Sequence, residues 1–111
     1  METYRVYFLL ASSQLTDEAK QLLALVADAM RLNSISRINL YGYTDSVGDA
    51  TFNLTLSKER VDAVKVFLIS LGVTQTRFAK AIGRGQVDSK NNNGNSVPAF
   101  LERIVTVETF I

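Results

Sequence analysis

The chain has 111 residues, 47% of them hydrophobic and only one of them proline, which suits a single globular domain built around one core and spanning residues 1–111. Twelve lysines and arginines against eleven acids leave a formal net charge of +1, and the basic residues are scattered along the chain, so no footprint for a nucleic-acid backbone is present. Cysteine and histidine are absent, which excludes thiolate nucleophiles, Ser–His and Cys–His pairs and the usual zinc sets, so no cofactor or metal is expected.

Lack of cysteine selects no compartment, since a disulfide-free domain is compatible with cytosol and periplasm alike. The apolar stretches Val6 to Ala11 and Leu22 to Ala27 are far shorter than the roughly 20 residues of a membrane-spanning helix, so no direct membrane insertion is expected. Met1 to Arg5 lacks the features of a signal peptide. A role outside the cytoplasm therefore implies a piece excised from a longer precursor.

In chain order, Tyr4 to Leu10 is rich in aromatic and β-branched residues and predicts a strand. Thr16 then suits the N-cap of a helix whose first turn carries Asp17 and Glu18 at the positive end of its dipole. Ala19, Leu22, Leu23, Val26, Ala29 and Met30 recur at helical spacing and predict its buried stripe. Ile38, Leu40 and Gly42 alternate with Arg37, Asn39 and Tyr41, the period of a second strand, with a loop over Gly42 to Gly48.

A second helix is expected from about Ser57, with Ser57 as N-cap and Leu56 packing on Val61 as a hydrophobic staple. Val61, Val64, Leu68 and Leu71 form its stripe, and Gly72 suits the left-handed residue past its end. Phe78 to Ile82 and Arg103 to Phe110 predict two further strands. Between them Gly83, Gly85, Asn91 to Asn93, Gly94 and Pro98 predict a long loop, with Gly83-Arg84-Gly85 in a turn. The order β-α-β-α-β-β predicts an α+β two-layer sandwich, with both helices on one face of a mixed sheet.

The segment richest in chemistry is Gly42-Tyr43-Thr44-Asp45-Ser46-Val47-Gly48, followed by Asn53 and by Leu56-Ser57-Lys58-Glu59-Arg60. Placed in a first helical turn, Arg60 meets the unfavourable end of the helix dipole at a cost of about 0.3–1 kcal/mol, which something should offset. One reading pairs Asp45 with Arg60 to close the loop. The other has the two charges clamp a ligand that carries an ammonium and a carboxylate. Both hold in turn if the internal pair opens to admit a zwitterion.

The pattern G-Y-T-D-x-x-G, then N-x-x-L-S-x-x-R, resembles the hallmark of the OmpA-like C-terminal domain family. The resemblance runs over almost the whole chain, through Val6-Tyr7-Phe8, Val64, Phe67 and Leu68, Gly72-Val73, Gly83-Arg84-Gly85 and Arg103-Ile104-Val105. It implies a non-enzymatic domain in the periplasm that binds peptidoglycan through the diaminopimelate of its stem peptide, as part of an outer-membrane or envelope-anchored protein. By motif position Asp45 would take the ammonium and Arg60 the carboxylate, with Thr44 adding hydrogen bonds and Arg103 a further contact. Asn53 and Leu56 are read as structural.

The chain departs from the family pattern at Leu9, Leu10 and Ala11, where polar residues are usual. It departs again at Leu101-Glu102-Arg103-Ile104, where an amide is lost and a charge inverted, and at Ser96 to Ala99, where an arginine is missing. These departures motivate an alternative: a degenerate domain of the same fold serving as a docking or dimerisation module, with a homodimer or an envelope protein as partner and an apolar patch around Leu9 and Leu10 as contact. An enzymatic alternative would pair Asp45 with Asp49 or Glu59 for glycoside cleavage. A phosphate site at Gly83-Arg84-Gly85 lacks the strand-loop-helix context and the following lysine that such sites need.

Overall fold

A computed structural model describes residues 1–87 and 99–111. Its elements are β1 (Glu2–Tyr7), α1 (Asp17–Leu32), β2 (Arg37–Thr44), α2 (Ala50–Ser70), β3 (Phe78–Gln86) and β4 (Ile104–Phe110), the order expected from the sequence. The strands form one mixed sheet in the order β1-β4-β2-β3. β4 runs antiparallel to both neighbours, while β2 and β3 are parallel and joined through α2.

Alternation along the strands places Val6, Ile38, Leu40, Val105 and Val107 in the core with Leu23, Val26, Met30, Val61, Val64 and Leu68 of the two helices. Arg37 and Lys80 lie on strands but are exposed, as expected where the helices cover one face of an antiparallel or mixed sheet. Thr16 caps α1 as predicted, its hydroxyl accepting from the Ala19 N–H. The buried stripe of α1 includes Ala27 instead of the predicted Ala29, which is exposed because it sits about 100° round the helix from Met30.

β1 stops at Tyr7, short of the predicted Leu10. Phe8 still donates its N–H to the Arg103 carbonyl, and the chain then turns away, with Ala11 at a left-handed φ of 53°. Leu9 and Leu10 project into solvent, 65% and 63% exposed, so their apolar run belongs to a turn.

β2 continues to Thr44 through the residues expected to form a loop, and β3 continues through Gly83-Arg84-Gly85, which form strand instead of a turn. Gly42 and Gly83 are registered partners in neighbouring strands. A Cβ on Gly42 would lie 2.4 Å from the Ser57 carbonyl oxygen, and one on Gly83 would lie 2.5 Å from the Lys58 nitrogen. The paired glycines thus form a floor without side chains on which the backbone of α2 rests, the reason a strand tolerates glycine here.

α2 begins at Ala50, with Asp49 as its cap accepting from the Phe52 N–H at 3.0 Å. The predicted Ser57 cap and the Leu56–Val61 staple are therefore corrected: Ser57 lies inside the helix, where its hydroxyl donates to the Leu54 carbonyl and accepts from the Gly85 N–H. The early start carries no periodic signal because Phe52 and Leu54 point outward, 55% and 40% exposed, and break the apolar stripe that marks a helix. Gly72 ends α2 at φ 101°, and Val73 donates back to the Leu68 carbonyl, as predicted for a left-handed terminator. The loop residues Asn91 to Asn93, Gly94 and Pro98, with Ser96 and Val97, lie outside the described residues.

Candidate functional site

The carboxyl end of β2, the start of α2 and the turn after β1 converge on a cavity of about 260 Å³. Its apolar lining comes from Leu10, Ala11, Val47, Phe52 and Leu56, and its charges from Asp45, Arg60 and Arg103. A larger furrow of about 350 Å³ between α2 and β3 holds only Lys58 and Asp62 as charged residues. Convergence of charge, not size, singles out the first cavity as the candidate site.

Asp45 follows β2 directly and is 4% exposed. One of its oxygens accepts from the Val47 N–H at 3.2 Å, and the other meets Nη1 of Arg103 at 3.4 Å. The loop is held open by Asn53, whose amide donates to the carbonyls of Val47 at 2.9 Å and Asp45 at 3.4 Å and to the side chain of Gln86 at 3.1 Å. The structural role expected of Asn53 therefore stands. Thr44 is buried and donates its hydroxyl to the Asp45 carbonyl at 2.9 Å, which leaves the oxygen lone pairs as its remaining capacity.

Arg60 lies well inside α2, not in its first turn, so the dipole argument attached to it does not apply. Its guanidinium is fully buried and donates to three carbonyls: Ser12 at 2.8 Å, Tyr43 at 3.0 Å and Leu9 at 3.1 Å. It also lies over the ring of Phe8, 5.2 Å from its centroid. This geometry fastens the turn after β1 to the end of β2 and makes the side chain the cavity floor. Burial is the main cause that lowers its pKa, to about 10, with Asp45 opposing the shift and Arg103 adding to it. The residue stays cationic at neutral pH, and the cost of charging it is relieved only as pH rises above about 10.

The ion-pair partner of Asp45 is Arg103, and not Arg60 as the loop-closing reading had it. Arg103 precedes β4 and is anchored by its Nε, which donates to the Phe8 carbonyl at 3.1 Å. All four site residues singled out in the sequence (Thr44, Asp45, Arg60 and Arg103) line one cavity. Leu10, Ala11, Val47 and Phe52 at its rim were missed as site residues, because apolar side chains carry no sign of a cavity until a turn exposes them. Asp49 caps α2 and Glu59 points to solvent, so neither joins Asp45 as a catalytic pair. Among the described residues, no acidic cluster could hold a metal ion, and no helix is long and apolar enough to cross a membrane.

The model of the OmpA family matches residues 7–100. The chain is 31% identical over 102 residues to outer membrane protein A of Bordetella avium, covering 92% of this chain and 52% of that protein. It is 32% identical over 73 residues to the peptidoglycan-binding protein ArfA of Mycobacterium tuberculosis, covering 66% of this chain and 22% of that one. The chain thus spans about half of the first of these relatives and less of the second. Among solved structures, it is similar to the peptidoglycan-associated lipoprotein of Burkholderia pseudomallei, with TM-score 0.84, 24% identity and coverage of 96% of this chain and 89% of that one. The periplasmic domain of Helicobacter pylori MotB shares the fold, with TM-score 0.75 at 16% identity over 96% of this chain and 74% of that one. With the predicted order of elements, the convergent charges and these matches in agreement, the chain belongs to the OmpA family.

Proposed function

We propose that this chain is a wall-anchoring module, a non-enzymatic domain that binds peptidoglycan non-covalently through the diaminopimelate of its stem peptide. The observation that carries this reading is the convergence of one carboxylate and two guanidinium groups on a single cavity. Diaminopimelate ends in an ammonium and a carboxylate on one carbon. In this reading Asp45 accepts from the ammonium, while the N–H groups of Arg60 left over from its three carbonyl bonds receive the carboxylate. Thr44 contributes its hydroxyl oxygen, and Arg103 borders the ligand from the β4 side.

The names of the relatives support the ligand class, since one is a peptidoglycan-binding protein and another a peptidoglycan-associated lipoprotein. Residues 1–111 then act as one domain of a longer envelope protein, placed in the periplasm by a tether outside this segment. In a sedimentation assay with sacculi that contain diaminopimelate, the chain should co-pellet. Asp45→Asn should abolish retention while the circular dichroism spectrum and melting temperature stay close to those of the parent. Undiminished co-pelleting of a folded Asp45→Asn variant would overturn the site.

A second reading is favoured by a specific observation: Leu9, Leu10, Val47 and Phe52 are all more than half exposed, and three of the four line the cavity mouth. Such a patch suits a protein contact, with a second copy or an envelope protein docked over the cavity. Light scattering decides this, because a concentration-dependent dimer disrupted by Leu10→Ser would support docking over wall binding.

A further inference from the structure

The charges in the cavity do not balance. Asp45 supplies one negative charge, and Arg60 and Arg103 supply two positive ones. Among the described residues no other carboxylate lines the cavity: Asp49 turns away to cap α2, and Glu102 borders a separate groove beside Arg5 and Tyr43. The start of α2, next to Phe52 and Asn53, adds partial positive charge. A zwitterionic end brings no net charge, so it leaves one guanidinium without a counter-ion among apolar walls.

The hydrogen-bond inventory gives the same result. A guanidinium has five N–H donors, of which, among the described residues, Arg60 commits three to carbonyls and Arg103 two, one to Phe8 and one to Asp45. Toward the described residues each side chain leaves at least two N–H groups uncommitted, enough for one carboxylate apiece. The Arg103–Asp45 contact of 3.4 Å is longer than the roughly 2.7–2.9 Å of a strong charge-assisted bond, so it yields readily to a ligand. The Nε bond to Phe8 meanwhile keeps the head of Arg103 in place.

We propose that Arg103 is a specificity-determining residue that receives a second carboxylate, so that the preferred ligand is a stem peptide ending at diaminopimelate. This inference rests on the wall-binding reading and narrows it. In such a tripeptide the residue offers one free ammonium and two free carboxylates, one at each end of its chain, and its net charge of −1 neutralises the cavity. In longer stems the main-chain carboxylate is tied up as an amide and cannot accept from Arg103. The pKa of Arg60 is depressed mainly by burial, with a smaller contribution from Arg103, as expected of two neighbouring cations.

Calorimetric titration with three synthetic peptides tests this: L-Ala-γ-D-Glu-meso-diaminopimelate, the same peptide with its main-chain carboxylate amidated, and the peptide extended by D-alanine. The free tripeptide should bind about tenfold more tightly than the other two, the size expected for a charge-assisted contact. In Arg103→Gln the gap should fall below about twofold, whereas Arg103→Lys, which keeps the charge, should retain part of it. Equal affinity of the parent for all three peptides overturns the role of Arg103 and leaves the wall-binding reading intact, and this comparison needs no variant to fold. A gap that persists undiminished in folded Arg103→Gln also overturns it. Failure of all three peptides to bind overturns the diaminopimelate reading itself, and the inference with it.

Discussion

Arg60 does two things with one side chain. Its guanidinium donates to the carbonyls of the half-buried Ser12 and Tyr43, and it forms the charged floor of the cavity. Losing it would take this donor from those carbonyls, at up to about 1–3 kcal/mol each, and leave a void under Phe8. Arg60→Ala should therefore lose about 3–5 kcal/mol of unfolding free energy in urea titrations, on the scale seen when one partner of a buried polar network is removed. Failure of this variant to bind sacculi would mix folding with recognition, so Asp45→Asn is the cleaner probe of the site. A melting temperature unchanged in Arg60→Ala would show that the guanidinium does not fasten the turn after β1.

At the scale of elements, the position of α2 decides the site, and two glycines decide the position of α2. Gly42→Ala would drive a methyl group to within 2.4 Å of the Ser57 backbone oxygen and 2.6 Å of a Val61 methyl, so the helix must move. Overpacking of this kind costs about 1–3 kcal/mol, and displacement of α2 carries Arg60 away from Tyr43. Thermal melts should show the loss of stability, and affinity for sacculi should fall with it. Removing the cap by Asp49→Ala should cost only about 1 kcal/mol, read in the same melts. α1 offers an internal control: Leu23 is fully buried and Leu25 is 65% exposed. Leu23→Ala should cost about 2–5 kcal/mol in urea titrations and Leu25→Ala less than about 0.5.

Over the whole molecule, stability is distributed by position in the sheet. β4 is paired on both sides, by β1 and β2, whereas β3 and β1 are edges. Amide hydrogen exchange should be slowest at Val105 and Val107, which are fully buried in that strand, and faster along β3, most of whose residues are exposed. Equal protection of β3 and β4 would refute this ranking. The cavity lies at one end of the sheet, where Thr44 and Asp45 follow β2, Arg103 precedes β4 and the turn after β1 closes over them. Its lining thus comes from segments adjoining three strands and one helix, and no single element builds it.

Much of this was legible in the residues alone. Apolar spacing, the Thr16 cap and the Gly72 terminator mark α1, the end of α2 and the order of elements along the chain, because such signals are local and repeat with the period of the backbone. The motif around Asp45 and Arg60 marked where the chemistry lies, since charged side chains at a strand end are visible without coordinates. Contacts between distant segments could be settled only by the tertiary structure. It moved the N-cap of α2 from Ser57 to Asp49, made Arg103 and not Arg60 the ion-pair partner of Asp45, and turned Leu9 and Leu10 from strand residues into solvent-facing turn residues. Each of these depends on which backbone groups meet across the fold, a relation that local periodicity does not encode.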